Sequence, residues 1–444
     1  MTTPPAAARS DPDIRIRLAF VAALAIALPA LWVRWTEPHL SHGIEALLFG
    51  LAIVGAAFIL SWAAEVAQLD ISAGLAIAVL AFIAVLPEYA VDMVFAWKGG
   101  QAVAAYGSSC HPPGAGGEDA CSLALANMTG ANRLLIGIGW SLVVFIVFMR
   151  TRKRREGPVR DVKLDRSHAV EVSFLAIATL YSLTLPMKHT ITLVDAAILV
   201  SIFIAYTIRI SRAPAEEPHL VGPARLLGTF TTRNRRIATI ALFLFSAFVI
   251  LASAEHFAES LVATGKELGI SEFLLVQWLA PLASEAPELL IAGLYAWRLN
   301  SNAGLGTLVS SKVNQWTLLV GTLPIVFAIA SGGISGLPID AHQREELLLT
   351  AAQSFFALAV IVSLSISTRE ALMLFTLFWA QFIIGAALPA SVGGMERIIV
   401  AVVYIVLGIG IFARSRHLIR PLLRDGLRTP YAELAEPEPE AVGE

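Results

Sequence analysis

An apolar stretch at residues 280–298, APLASEAPELLIAGLYAWR, carries Glu285, Pro287 and Glu288, residue types that a segment crossing hydrocarbon normally lacks. An ionised side chain near a bilayer centre costs roughly 2.5 kcal/mol or more even on the most lenient scale, so such an acid marks a functional site by default. Proline removes one backbone donor and frees a carbonyl in the turn before it. Carboxylates beside freed carbonyls form a set of oxygen ligands, the kind that hard cations take. The same arrangement recurs upstream. Residues 80–98, LAFIAVLPEYAVDMVFAWK, superpose on the first stretch after a shift of 200 positions, which brings Pro87 onto Pro287, Glu88 onto Glu288, Trp97 onto Trp297 and Lys98 onto Arg298. The chain reads as an internal duplication.

The elements that hold these residues follow from composition. The 444 residues are 57% hydrophobic and 15% charged, against about a quarter charged in soluble domains, so the chain is expected to be a polytopic membrane protein. Apolar runs lie near 14–35, 44–66, 72–97, 121–149, 168–187, 190–208, 237–264, 272–297, 303–330, 347–366, 370–388 and 396–413. Each is long enough for a core of ~30 Å. The first ends in ALPA, as a signal peptide would, but its apolar length exceeds the roughly 7–15 residues of a signal core and it is taken as an uncleaved span. Lysines and arginines set the orientation. With the N-terminus inside, the outer segments hold only Arg34, Lys98, Lys188, Lys266, Arg344 and Arg397, while runs such as RTRKRREGPVRDVKLDR and TTRNRR fall inside. That bias predicts cytoplasmic N- and C-termini in a plasma (inner) membrane.

In this topology the run with Pro87 and Glu88 travels outward and the run with Pro287 and Glu288 travels inward, so the repeats are inverted. Inverted repeats with interrupted helices near the midplane are an architecture of secondary transporters. The expected fold is all-α, with about 12 transmembrane helices and two inverted five-helix repeats. Residues 1–43 form a tail and an extra helix, 44–208 the first repeat, 209–236 a basic cytoplasmic linker, 237–395 the second repeat, and 396–444 a further helix and tail. Residues 1–13 and the acidic, proline-rich end after Arg428 have the composition of disordered segments.

Each proline-bearing run is followed by a span with small and polar residues, ANMTGANRLLIGIG at 126–139 and LVSSKVNQWTLLVG at 308–321. With the two Pro-Glu segments, these resemble the repeats of the sodium/calcium exchanger superfamily of cation antiporters. That family has hydroxyl residues before Pro-Glu, then a Gly-Ser-Asn segment with a further Asn or Asp. The resemblance covers about ten of the twelve spans by topology. It implies alternating-access exchange of Ca2+ for Na+ or H+, with the cations as substrates and no cofactor. Residue by residue it places Glu88 and Glu288 as paired acidic ligands and Ser284 as the hydroxyl before the second Pro-Glu. Ala131 and Asn132 stand where the family has Ser-Asn, and Ser311 and Lys312 stand there in the second repeat. Pairing Asn132 with Asn314 instead equalises the distance to Gly139 and Gly321. The departures are Ala84 and Val85 for the first hydroxyl pair, Glu285 for a hydroxyl, and Leu135 and Gln315 for the later Asn or Asp.

Calcium takes about six to eight oxygens. Glu88, Glu288, Glu285, Asp92, Ser284, Asn132, Asn314, Ser311 and Thr129 are the candidates. Two cations, Lys312 and Arg133, lie in the spans that should line the site and would weaken a bound divalent ion there. Either they pair with Asp92 and Glu285, or part of the calcium site has been exchanged for a resident charge. The plain alternative, acids that only tie helices together, leaves two of Glu88, Asp92, Glu285 and Glu288 without a base. Glu65, Asp195, Glu255 and Glu259 lie nearer span ends and read as interfacial or packing residues, with Glu255 and His256 offering a proton path. Trp97 and Trp297 read as interface anchors, and the arginine run at 150–155 as an orientation signal that also suits anionic lipid.

Three other functions compete with Ca2+ exchange: a Na+/H+ exchanger, favoured by the missing hydroxyls; a non-transporting ion sensor or scaffold; and a membrane-embedded hydrolase. No GxxxxGK[ST], GxSxG or HExxH segment is present, so neither ATP drive nor these enzyme mechanisms is expected. Nothing points to a nucleic-acid partner, and the sequence leaves the oligomeric state open. Cys110 and Cys121, the chain's two cysteines, fall in one glycine- and proline-rich loop. Facing an oxidising exterior they are expected to form a disulfide, and with His111 they supply too few ligands for a closed metal site.

Overall fold

The structure, a computed structural model, describes residues 12–70, 86–107, 110, 118–153, 157–213, 220–387 and 390–434. Ala84, Val85, His111, the N-terminal tail up to residue 11 and the acidic end beyond 434 lie outside the described residues. Helices dominate, because a chain in hydrocarbon must satisfy its backbone internally. In order they are α1 (Pro12–Thr36), α2 (His42–Ala67), α3 (Leu86–Tyr106), α4 (Ala120–Thr151), α5 (Ala169–Ser182) and α6 (Leu193–Ile210). A short α7 (Pro223–Gly228) follows, then α8 (Thr232–Leu268), α9 (Glu272–Trp297), α10 (Ser301–Ser331), α11 (Ala341–Ile361), α12 (Thr368–Ala387), α13 (Ala390–Arg414) and α14 (Arg416–Leu427). Among the described residues, 8 helices are long and apolar enough to cross a membrane. Helix α9 has a comparable length but carries Glu272, Glu285 and Glu288.

The run expected at 347–366 is displaced. Helix α11 starts earlier because the Asp340 side chain accepts from the backbone of Gln343 while the Gln343 side-chain oxygen accepts from the backbone of Asp340, a capping box that sets the first turn. The end of the run is not helix either: β4 (Ser365–Ser367) pairs antiparallel with β1 (Asp161–Lys163), Val162 opposite Ile366. A second antiparallel pair joins β2 (Thr190–Ile191) to β3 (Leu337–Pro338). These two short sheets tie loops of the first half of the chain to loops of the second.

Packing brings α4 and α9 together around two irregularities. Pro281 has no N–H for the carbonyl of Gln277, and Gly130 of α4 closes on that carbonyl so tightly that a Cβ would stand 1.7 Å from it. Glycine is required there, whatever its conformation. Both polar spans also contain one π-helical turn, Leu135–Trp140 in α4 and Gln315–Leu319 in α10. Such bulges widen a helix locally and concentrate at functional sites. Cys110 and Cys121 are joined by a disulfide. It spends both sulfurs and secures the loop between α3 and α4.

Candidate functional site

Two helices deliver the acids. Helix α3 places Glu88 in its first turn and Asp92 one turn on, on the same face, and both are buried. Helix α9 carries Ser284, Glu285 and Glu288 within about one turn, with Pro287 between the acids. The amide of Gln315, in the π turn of α10, donates to Glu285. Glu88 and Glu285 are close acidic neighbours across α3 and α9. Asn127 donates to Asp92 at 2.7 Å. After these bonds are counted, Glu88 Oε1, Asp92 Oδ2, Glu285 Oε2, Glu288 Oε2 and Gln315 Oε1 remain buried acceptors without a hydrogen-bond partner. Buried polar groups are normally satisfied, and acceptors clustered in this way suit a cation.

The two intramembrane bases separate. Arg133 does not pair with Asp92 or Glu285 and does not modulate the acidic cluster directly. Its guanidinium donates to Glu346 of α11 at 2.8 Å and to Gln381 of α12, and it lies 5.1 Å from the Trp278 ring. The helical spacing of Arg133 from Asn132 turns it to another face, where Glu346 waits. Gln277 also donates to Glu346, at 2.9 Å. Lys312 stays with the cluster and is wholly buried. Its ammonium donates to Asn132 Oδ1 at 2.7 Å and to the Asn132 carbonyl at 2.6 Å. Glu285 and Glu88 are its acidic neighbours. Two of the four carboxyl groups, Glu285 and Glu88, therefore neighbour this ammonium, and with Arg133 withdrawn the four acids outnumber the remaining base by more than the sequence implied.

The remaining expected ligands divide. Asn132 donates to the Met128 carbonyl at 2.9 Å while its oxygen is taken by Lys312. Thr129 is turned into its own helix, donating to Leu125 at 2.8 Å, and accepts from Gln277 at 3.3 Å. Ser284 likewise donates to Ala280, at 3.2 Å; its lone pairs stay available. Ser311, Asn314 and Glu288 line a cavity of about 450 Å3 that continues past Tyr206 and Glu65 to His168 and Glu171. Glu288, alone of the four acids in lining this cavity, is thus reached from the end of the molecule where α5 begins.

Glu65, near the end of α2, accepts from the backbone of Val221 at 2.7 Å, as the interfacial or packing reading expects, and it also lines this cavity. Asp195 is tied to Tyr181 at 2.5 Å and to Thr192 and Lys188, a satisfied packing residue. Glu255 and Glu259 reach Lys98, Glu255 at 3.6 Å, and His256 stacks on Phe49 at 5.0 Å. Trp97 and Trp297 are exposed. Sequence reasoning missed Asn127, Gln277 and Glu346. Asn127 lies in the quoted polar segment and Gln277 lies one turn before Pro281, which were the available signals; Glu346 sits near a span end and gave none.

Comparison with known proteins agrees with this geometry. The family described as sodium/calcium exchanger protein matches residues 43–211 and 238–387. The crystal structure of the H+/Ca2+ exchanger CAX is similar at 41% identity and a TM-score of 0.84, covering 94% of this chain and 99% of that one. The structure of native YfkE shares the fold at 14% identity and a TM-score of 0.58, covering 88% of this chain and 100% of that one. No curated protein matches.

Proposed function

The chain belongs to the sodium/calcium exchanger family, whose members are membrane transporters rather than enzymes, and on that premise we propose that it exchanges Ca2+ for H+ by alternating access. The observation that carries this reading is the set of acids on α3 and α9: Glu88, Asp92 and Glu285 are buried, the first and last of them beside the ammonium of Lys312, and Glu288 lines the cavity. Buried carboxyl groups set close together, as Glu88 and Glu285 are, are groups that can trade protons for a bound Ca2+. Glu88, Glu285 and Glu288 are the proposed carboxylate ligands. Ser284, Ser311, Asn314 and freed carbonyls supply neutral oxygens, towards the about six to eight that Ca2+ needs. Asp92, held by Asn127, supports the cluster from behind. The identity of 41% to an H+/Ca2+ exchanger supports the proton as coupled ion.

The proposed architecture has twelve spans, with inverted repeats at 44–208 and 237–395 and both termini cytoplasmic. Two observations support it. The π turns occupy corresponding places in the two polar spans. The strand pairs are related in the same way: β1·β4 and β3·β2 each join the loop after a repeat's third helix to the loop after the other repeat's fourth. In this orientation the cavity that reaches Glu288 opens to the cytoplasm. A proton or Ca2+ entering there meets Glu171 and Glu65 before Glu288.

The test is ⁴⁵Ca2+ uptake by reconstituted vesicles under imposed gradients. A pH gradient should drive uptake and a Na+ gradient at equal pH should not. Uptake driven only by Na+ would replace the proton with sodium. Dissipation of Na+ and pH gradients without Ca2+ movement would leave the monovalent exchanger in its place, and a folded, inserted protein that moves no cation would leave the sensor.

A further inference from the structure

Helix α14 follows the membrane-crossing helix α13 with only Ser415 between them. Its sequence, RHLIRPLLRDGL, sets Arg416, Arg420 and Arg424 four residues apart, and Arg428 continues the row. Residues spaced by four share one helix face. All four arginines are exposed. Beside them runs a second row, Ile419, Leu423 and Leu427, and the two rows line a groove of about 540 Å3.

The opposite face is fixed to the protein. Leu422 and Gly426 are buried, and a Cβ on Gly426 would fall 2.1 Å from Ser173 Oγ and 2.3 Å from the Ala169 carbonyl. Asp425 is the helix's only acid, and both its oxygens accept from Arg166, at 2.7 and 2.9 Å. Arg209 adds a bond to the Gly426 carbonyl at 3.0 Å. The helix is therefore held with its one negative charge spent inward. Among the described residues no ion pair or side-chain hydrogen bond holds Arg416, Arg420 or Arg428.

A row of guanidiniums next to a row of leucine and isoleucine, presented where a bilayer-crossing helix ends, matches the chemistry of a leaflet surface: phosphate at the headgroups, hydrocarbon just beneath. Guanidinium also suits phosphate by its planar fork of donors. We propose that α14 is a binding surface for anionic phospholipid headgroups in the leaflet on the side where the cavity opens. The helix rests on the start of α5, which contributes Glu171 to that cavity, so bound lipid steadies one wall of it.

The full chain, placed in bilayer discs of phosphatidylcholine and phosphatidylglycerol in equimolar mixture, is to be ejected and weighed with its retained lipid by native mass spectrometry. The native chain should keep phosphatidylglycerol in preference to phosphatidylcholine. The combined variant Arg416→Gln, Arg420→Gln, Arg424→Gln and Arg428→Gln should lose about tenfold or more of that preference, since each basic residue at an anionic surface contributes severalfold. The corresponding lysine variant, which keeps charge and guards against a folding defect, should retain most of it. Equal retention by the native and glutamine chains overturns the proposal. So does a lysine variant that falls as far as the glutamine one. Displacement of the lipid by soluble glycerol phosphate would make the row a site for free phosphate and also overturn it. Preference that emerges only after removal of residues 435–444 would show that the chain's own acidic end covers the row, with the same consequence.

Discussion

Lys312 and Asn132 are locked together across the two polar spans, the ammonium bonded to the side-chain oxygen at 2.7 Å and to the main-chain carbonyl of the same residue at 2.6 Å. One residue expected to bind the transported cation is thereby occupied by a permanent one. The pair joins α10 to α4 directly, and it places a positive charge beside Glu285 and Glu88.

The Lys312→Asn variant should raise divalent affinity. It removes the resident charge and frees Asn132 Oδ1, and a unit charge within several ångströms at an effective dielectric near 20 is worth enough to shift affinity by roughly tenfold or more. Lys312→Met, which removes charge without adding an oxygen, should show a smaller gain. Calorimetric Ca2+ titration of the two purified variants checks the order; affinity that falls in both would show that the ammonium organises the site.

Glu288→Gln should weaken Ca2+ binding more than Glu88→Gln. Glu288 lines the cavity and shares α9 with Ser284 and Glu285, whereas Glu88 is buried and does not line it. Equal losses in the same titration would contradict this inequality between the two Pro-Glu segments.

Glu346→Gln should unfold the protein at lower temperature, by on the order of 3–5 kcal/mol of lost stability, because it strands the buried Arg133. Replacing both, Arg133→Met with Glu346→Leu, should recover most of the loss. Thermal unfolding in detergent is the measurement, and Ca2+ affinity of the refolded double variant should stay near native because Arg133 faces away from the acidic cluster.

Acid should loosen two latches at the end of the molecule where the cavity opens. Asp70 is held below its ordinary 3.8 by the hydrogen bonds from Arg235, and Asp425 below the same value by those from Arg166. A carboxyl with a lowered folded value contributes stability that is present above its unfolded value and lost as pH falls through the folded one. Unfolding midpoints should therefore decline below about pH 4, and less steeply in Asp70→Asn and Asp425→Asn. A decline of unchanged steepness in both variants would assign the acid sensitivity elsewhere.

Much of this was legible before any coordinates. Composition announces helices in lipid, because hydrocarbon admits few backbone solutions. The repeated Pro-Glu segments, separated by 200 positions, expose the acids at the centre, and the family they resemble is the family that matches. Two cysteines in one loop leave one intramolecular pairing. Capping was also readable from Asp340 and Gln343, although the hydrophobic run concealed it and placed α11 several residues late.

Partner choice was not legible. The sequence by itself determined that two bases and at least four acids would be buried together in the membrane-spanning part of the chain. Only the tertiary structure decided that Arg133 belongs to Glu346, Lys312 to Asn132, and Asp92 to Asn127. Spans that are apolar nearly all round carry no strong periodicity to say which face meets which neighbour. The rotation of α4 is set by close approaches such as Gly130 against the Gln277 carbonyl and by the π turn that follows. A turn of one residue along that helix, about 100°, separates a cation that sits at the acidic cluster from one that leaves it, and no local pattern in the chain encodes that angle.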